Sequence, residues 1–197
     1  NAIVFGNNHT VGDPDDELVT FGSPDLTDLV DHVTVSGGKG HTVSADQATV
    51  GGGSGHTASD KNATISGGEI NKAGFGCTVG GGSQNDASGV NATIGGGQGN
   101  TSSGGGSTVA GGRNNTASGG DSFAVGNNCT ASGEKSFAAG EGASAAADGS
   151  FVWSQGSAGV TGPNDDEVVF QAKGGFRIKG TENAAIFNGS GGGEVQL

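Results

Sequence analysis

Four histidines, two cysteines and 20 acidic side chains are the residues of this chain that can do chemistry, and their spacing decides whether they work together. His9, His41 and His56 recur at one offset from an apolar residue, and the same offset is then filled by Asn71, Asn85, Asn100 and Asn115 and finally by Cys129. Imidazoles one repeat apart are a donor set for a metal or an anion, so His41 and His56 are weak metal candidates. No carboxylate or cysteine stands at a matching spacing in those two copies. The pattern therefore favours a structural ladder, in which stacked polar side chains bond along the repeat and satisfy otherwise buried groups.

Carboxylates cluster in Asp13-Pro14-Asp15-Asp16-Glu17, at Asp25, Asp28 and Asp31, and in Asn164-Asp165-Asp166-Glu167. Asp13, Asp15 and Asp16 offer oxygens to a hard cation, but a calcium-loop spacing is missing and solvated turns are the expected role. Despite 44 glycines the sequence holds no dinucleotide fingerprint, no phosphate loop and no Gly-x-Ser-x-Gly elbow. The expectation is a non-enzymatic protein with no cofactor beyond a bound cation or anion. The one enzymatic alternative is a glycan depolymerase using loop carboxylates such as Asp15 or Asp166. Sequons begin at Asn8, Asn62, Asn91, Asn100, Asn114, Asn128 and Asn188, most of them generated by the repeat itself.

The elements that position these groups are repeats. Ala48-Thr49-Val50-Gly51-Gly52-Gly53 and Ala92-Thr93-Ile94-Gly95-Gly96-Gly97 are near copies, and others align on them. Anchoring each copy on its central apolar residue gives Ile3, Val19, Val35, Val50, Ile65, Val79, Ile94, Val109, Phe123, Phe137 and Phe151, eleven copies spaced 14 to 16 residues apart. Eight residues after most anchors comes a second small apolar residue, such as Val43, Ala58, Ala73 or Ala117, with Ser102 as an exception. Glycine pairs and Ala-Ser-Gly corners lie between, where positive φ is available. Each repeat thus reads as two short strands and two tight turns. Such a unit cannot close a core alone, but copies stacked about 4.8 Å apart make one continuous narrow core. The expectation is an all-β roll of about eleven rungs.

Composition agrees. Only 31% of residues are hydrophobic, with one tryptophan and no methionine or tyrosine, so a single large core is excluded. The formal charge of −12 repels nucleic acid and anionic lipid and fits an acidic surface or halophilic protein. No run approaches the roughly 18 to 20 apolar residues of a membrane span, so no membrane insertion is expected in this segment. Cys77 and Cys129 stand three rungs apart, about 14 Å at the strand spacing, which predicts two separate buried thiols and no disulfide.

Beside the anchors the outward positions are uniformly small. Thr34, Thr49, Thr64, Thr78, Thr93, Thr108, Ser122 and Ser136 precede them, and Ser36, Gly51, Ser66, Gly80, Gly95, Ala110, Ala124 and Ala138 follow. A solvated face would carry Lys, Glu or Asp, so the smallness predicts a second backbone packed close against this face.

Ser122-Phe123-Ala124-Val125-Gly126 followed by Ala131 and Gly133, and Ser136-Phe137-Ala138-Ala139-Gly140 followed by Ala145, resemble the head repeats of trimeric autotransporter adhesins, a repeat also found in virus tail fibres. The resemblance is strong over residues 33 to 151 and loose over 1 to 32. It implies a left-handed parallel β-roll, three chains side by side as a homotrimer, and an extracellular role on a virion or cell surface, attached to a host glycan or protein receptor. The adhesin neck and heptad stalk have no counterpart here. Residues 165 to 188 instead read as a hairpin around Gly174-Gly175, similar to segments that follow such repeats in tail fibres. The predicted organisation is therefore irregular early rungs with acidic insertions over 1–32, regular repeats over 33–156 and a non-repeat β segment over 157–197. A tail fibre or spike is the leading reading, with a cellular adhesin head as its alternative.

Overall fold

The computed structural model describes residues 3–4, 20–21, 33–162 and 164–172. Among these residues the chain is all β, without a helix, and coils into a parallel β-solenoid of about nine turns. Each regular turn contributes two strands. Thr34–Val35 pairs in parallel with Thr49–Val50, which pairs with Thr64–Ile65. Thr42–Val43 likewise pairs with Thr57–Ala58, and that strand with Lys72–Ala73. Neighbouring turns are joined by backbone bonds such as Thr34 N–H to Ala48 O at 3.0 Å and Thr42 N–H to His56 O at 2.8 Å. A chain segment this short has no partner within its own turn, so the ladder between turns is what satisfies its backbone.

Local sequence explains why the coil turns where it does. Asn62, Asn91, Asn114 and Asn128 adopt left-handed φ of 62°, 57°, 52° and 55°. Asparagine tolerates that region better than other residues with a Cβ. Between turns, a threonine followed by a β-branched residue suits a strand with one face inward.

The core is narrow and built from a few stacked columns of buried residues. Val35, Val50, Ile65, Val79, Ile94 and Val109 from the first strands face Val43, Ala58, Ala73, Ala87 and Ala117 from the second, all at most 1% exposed. Each buried Val or Ile contributes about 1.5–3 kcal/mol through removal from water. Ser102 interrupts the small file, and its hydroxyl lies 2.7 Å from Ser107 Oγ, which donates to Gly104 O at 2.8 Å, so the buried polar pair is satisfied.

Three of the expected anchors take a different register. Phe123 pairs with Thr108, and Ala124 with Val109, so Phe123, Phe137 and Phe151 continue the outward threonine column while Ala124, Ala138 and Val152 enter the core. A layer sized for one β-branched residue against one alanine has no room for a phenyl ring without overpacking. The rings are half-buried on the outer face and stack, with centroids 5.0 and 4.5 Å apart. For the same reason Ser122 and Ser136 lie inside, 1% exposed, in the column of Ala92 and Ser107.

The first turns are also reassigned. Ile3 pairs with Thr34 and Val4 with Val35, so the register puts Val4, not Ile3, in line with the core column. Val19 lies outside the described residues, but the adjoining strand Thr20–Phe21 pairs with Thr42–Val43 and belongs to the second-strand stack. The described strand next to Val19 thus adds to the second-strand stack, and the described residues form about nine turns rather than eleven. At the other end the stack continues past residue 156. The strand Phe151–Gly162 pairs in parallel with Phe137–Ala145, and Val168–Gln171 pairs with Phe151–Ser154. The expected hairpin turn at Gly174-Gly175 lies outside the described residues.

Candidate functional site

Two features of the coil carry side chains with more than a packing role: the buried polar ladder and the outer face of the first strands.

The ladder occupies the corner between the glycine pair and the second strand. His41, His56, Asn71, Asn85, Asn100 and Asn115 are 0–1% exposed. Each asparagine works in the same way. Asn85 Oδ1 accepts the backbone N–H of Asn100 in the next turn at 3.0 Å, and its Nδ2 donates to Gly81 O of its own turn at 2.9 Å and Gly97 O of the next at 3.0 Å. The amides thus bond mainly to backbone rather than to one another; Asn115 Nδ2 to Asn100 Oδ1, at 3.1 Å, is the one amide-to-amide bond among them. The series closes when Asn115 Oδ1 accepts the Cys129 N–H at 2.9 Å.

Histidine imitates asparagine in this corner. His41 Nδ1 accepts the His56 N–H at 3.2 Å, and His56 Nδ1 accepts the Asn71 N–H at 3.1 Å. A ring nitrogen that accepts must be unprotonated, so the bonds assign the neutral tautomer with hydrogen on Nε2. His41 Nε2 then donates to Gly37 O at 3.1 Å, four residues back, as Asn71 Nδ2 donates to Gly67 O at 2.9 Å. His56 Nε2 lies beside the carbonyls of Gly52 and Gly68 but makes no bond of good geometry. Burial lowers the pKa of both rings, and for His56 the neighbouring His41 lowers it further.

This geometry removes the metal reading for His41 and His56. The rings stack at 5.0 Å with 5° between their planes. Their lone pairs lie in parallel planes, and both Nδ1 atoms are occupied by backbone N–H groups, so no point exists where they converge on an ion. Among the described residues no group of three or more His, Cys, Asp or Glu is placed to hold a metal. His9, Asp13, Asp15 and Asp16 lie outside the described residues.

Cys77 and Cys129 are both free and buried, and burial raises both thiol pKa values, which leaves them protonated and poorly nucleophilic. Acidic side chains missed as structural elements form part of one turn column. Asp148 Oδ1 accepts the Glu134 N–H at 2.7 Å and Asp165 Oδ1 accepts the Asp148 N–H at 3.2 Å. Their spacings of 14 and 17 residues differ, so the sequence gives no regular signal, and the turn geometry shows that carboxylates satisfy backbone donors there. Asp166, the depolymerase candidate, sits beside them at the turn with φ 55° and is exposed.

The outer face of the first strands changes character along the rod. From Thr34 to Thr108 it shows threonines and Ser36, Gly51, Ser66, Gly80, Gly95 and Ala110. Three of those glycines have a cause within the chain itself. A Cβ on Gly51, Gly80 or Gly95 would overlap the carbonyl of Ser66, Gly95 or Ala110 in the next turn. Smallness there does not by itself call for another backbone. Beyond Thr108 the face becomes aromatic, with the Phe123, Phe137 and Phe151 stack, half-buried Val125 and Trp153, and exposed Val168 and Phe170 at 60% and 48%. Phe170 tilts against Phe151 at 5.5 Å. No charged residue occupies the outward positions from Thr34 to Ala110 or the Phe123, Phe137 and Phe151 stack, although the far ends of two of these strands carry exposed Arg113 and Glu141. The second-strand face carries Lys72 and Asp86, paired at 3.5 Å, and the turn edges carry Lys39, Glu69 and Glu134.

The fold and the ladder define a parallel β-solenoid whose interior is backbone-bonded polar side chains beside a thin aliphatic file. Comparison with protein-family models and with curated proteins finds no match to this chain.

Proposed function

We propose that this chain is a non-enzymatic structural and attachment protein, a left-handed roll that assembles side by side as a homotrimer in a virus tail fibre or spike and presents an extracellular host-binding surface. The observation that carries the reading is the uncharged outward column of the described first strands. In a chain of net charge −12, copies repel over most approaches. A neutral face ending in stacked phenylalanines is where three copies gain by meeting, since apolar surface of this kind marks association sites. A closed threefold ring would bury that face and leave the turn edges outward as the recognition surface.

Attachment by such a rod is multivalent, so affinity for a surface depends on assembly. Labelled protein applied to intact cells and to immobilised glycans is expected to bind saturably. The Phe137→Glu variant, placed in the aromatic stack but outside the core, is expected to bind at least tenfold more weakly through loss of avidity. Absence of saturable binding on every surface would remove the attachment role, and release of sugar from those surfaces would establish the depolymerase alternative instead.

A further inference from the structure

We propose that the two histidine turns form an acid-labile segment of the rod, in which proton uptake by His41 and His56 breaks the bonds between successive turns while the asparagine turns beyond them stay closed. The inference needs no assumption about assembly or receptor, because it rests on the interior of one chain.

The ladder offers a direct comparison within one molecule. At Asn71, Asn85, Asn100 and Asn115 the acceptor for the next turn is an amide oxygen, which does not titrate in the physiological range. At His41 and His56 the acceptor is Nδ1, the atom that takes a proton as pH falls. A hydrogen on Nδ1 would point at the backbone N–H that it formerly accepted. The same step converts two acceptors into donors facing donors and places two cations in stacked rings 5.0 Å apart.

Among the described residues no charged side chain is seen to compensate the rings. Lys39 lies on the same turn edge, two residues before His41, and Glu69 lies on it two residues before Asn71. Asp46, Asp60 and Lys61 occupy the opposite edge, and Lys72 follows Asn71 on the outward side of the second strand. The charge named as acting on His56 is His41, which opposes protonation. Both side chains are 0–1% exposed, so a protonated ring reaches water only if the turn opens.

Hydrogen exchange on the full chain, corrected for intrinsic rates, tests this at about pH 7.5 and about pH 5, on either side of the ordinary histidine range. Exchange over residues 42–71 is expected to rise at least tenfold at the lower pH relative to residues 85–131, with the His56 and Asn71 amides among the first affected. The His41→Asn, His56→Asn double variant installs the ladder's own residue and is expected to abolish the difference. An equal acid response in the variant, or a uniform response along the rod, would overturn the proposal. Should the double variant not fold, imidazole nitrogen shifts of the natural protein decide. Rings that resist protonation until the segment opens support the device, and rings that titrate with no change in exchange refute it.

Discussion

Replacing Asn100 by alanine is the sharpest perturbation of the ladder. The Asn100 side chain is 0% exposed. Its Oδ1 accepts the Asn115 backbone N–H at 2.9 Å and Asn115 Nδ2 at 3.1 Å, and its Nδ2 donates to Gly96 O at 2.9 Å and Gly112 O at 3.0 Å. Several partners keep an alternative when these bonds are lost. Gly112 O still accepts from Gln98 N–H at 3.0 Å, and Asn115 Nδ2 still donates to Gly111 O and Gly126 O at 3.0 and 2.7 Å. The Asn115 backbone N–H keeps none. One orphaned buried donor costs about 1–3 kcal/mol, and the net loss of the other bonds adds about 1 kcal/mol. The expected destabilisation is about 3 kcal/mol, which accelerates exchange of the Asn115 amide roughly 100-fold if it opens locally. Exchange at that amide is the assay of choice, because a stacked repeat need not unfold in one step. Asn100→His keeps an acceptor and a donor in the places that His41 and His56 use. It should cost less than half as much as alanine despite its bulk. An alanine effect under about 1 kcal/mol, or a histidine variant as damaged as the alanine one, would refute the claim that backbone satisfaction is the ladder's role.

Further outcomes follow from the same geometry. Ile94→Ala should cost about 2–4 kcal/mol in chemical denaturation because it empties the core file, whereas Phe137→Ala on the outer face should cost a single chain under about 1.5 kcal/mol. Gly95→Ala should destabilise by about 1–3 kcal/mol, because its Cβ meets the Ala110 carbonyl, and a neutral result would contradict the stated turn spacing. Both thiols should resist alkylation until the protein unfolds and form no disulfide with each other, which mass spectrometry after labelling reads directly. Because the folded pKa of each histidine is lowered, their contribution is fully present above the unfolded value near 6.5. It is lost as pH falls from there through the folded values, at up to about 1.4 kcal/mol per pH unit for each ring. Denaturation midpoints of the natural chain and the His41→Asn, His56→Asn variant should therefore converge above neutrality and separate in acid.

Periodicity made the solenoid legible, since Thr49-Val50 and Thr93-Ile94 sit at the same register in sequence and in space. The ladder offset from His41 to Asn115 was legible for the same reason, but its chemistry was not. Spacing shows that amides stack, while only coordinates show that they bond mostly to glycine carbonyls and next-turn N–H groups. The phenylalanine register is not legible in the sequence, because the largest apolar residue of those copies faces outward and the smaller alanine faces in. Thr108 pairing with Phe123 shows that the outward column can turn aromatic without changing phase. The smallness of Gly51, Gly80 and Gly95 is consistent with another copy, yet a Cβ there would already meet a carbonyl of the next turn. What supports assembly is the uncharged outward column of the described first strands and its aromatic end.

Native mass in solution tests that assembly most directly. Three chains of 18.8 kDa give about 56 kDa. The natural sequence is expected at that mass and Phe137→Glu at a single-chain mass, with the β signal of the roll retained. A stable 18.8 kDa monomer of the natural chain, with its aromatic face open to water, would contradict it.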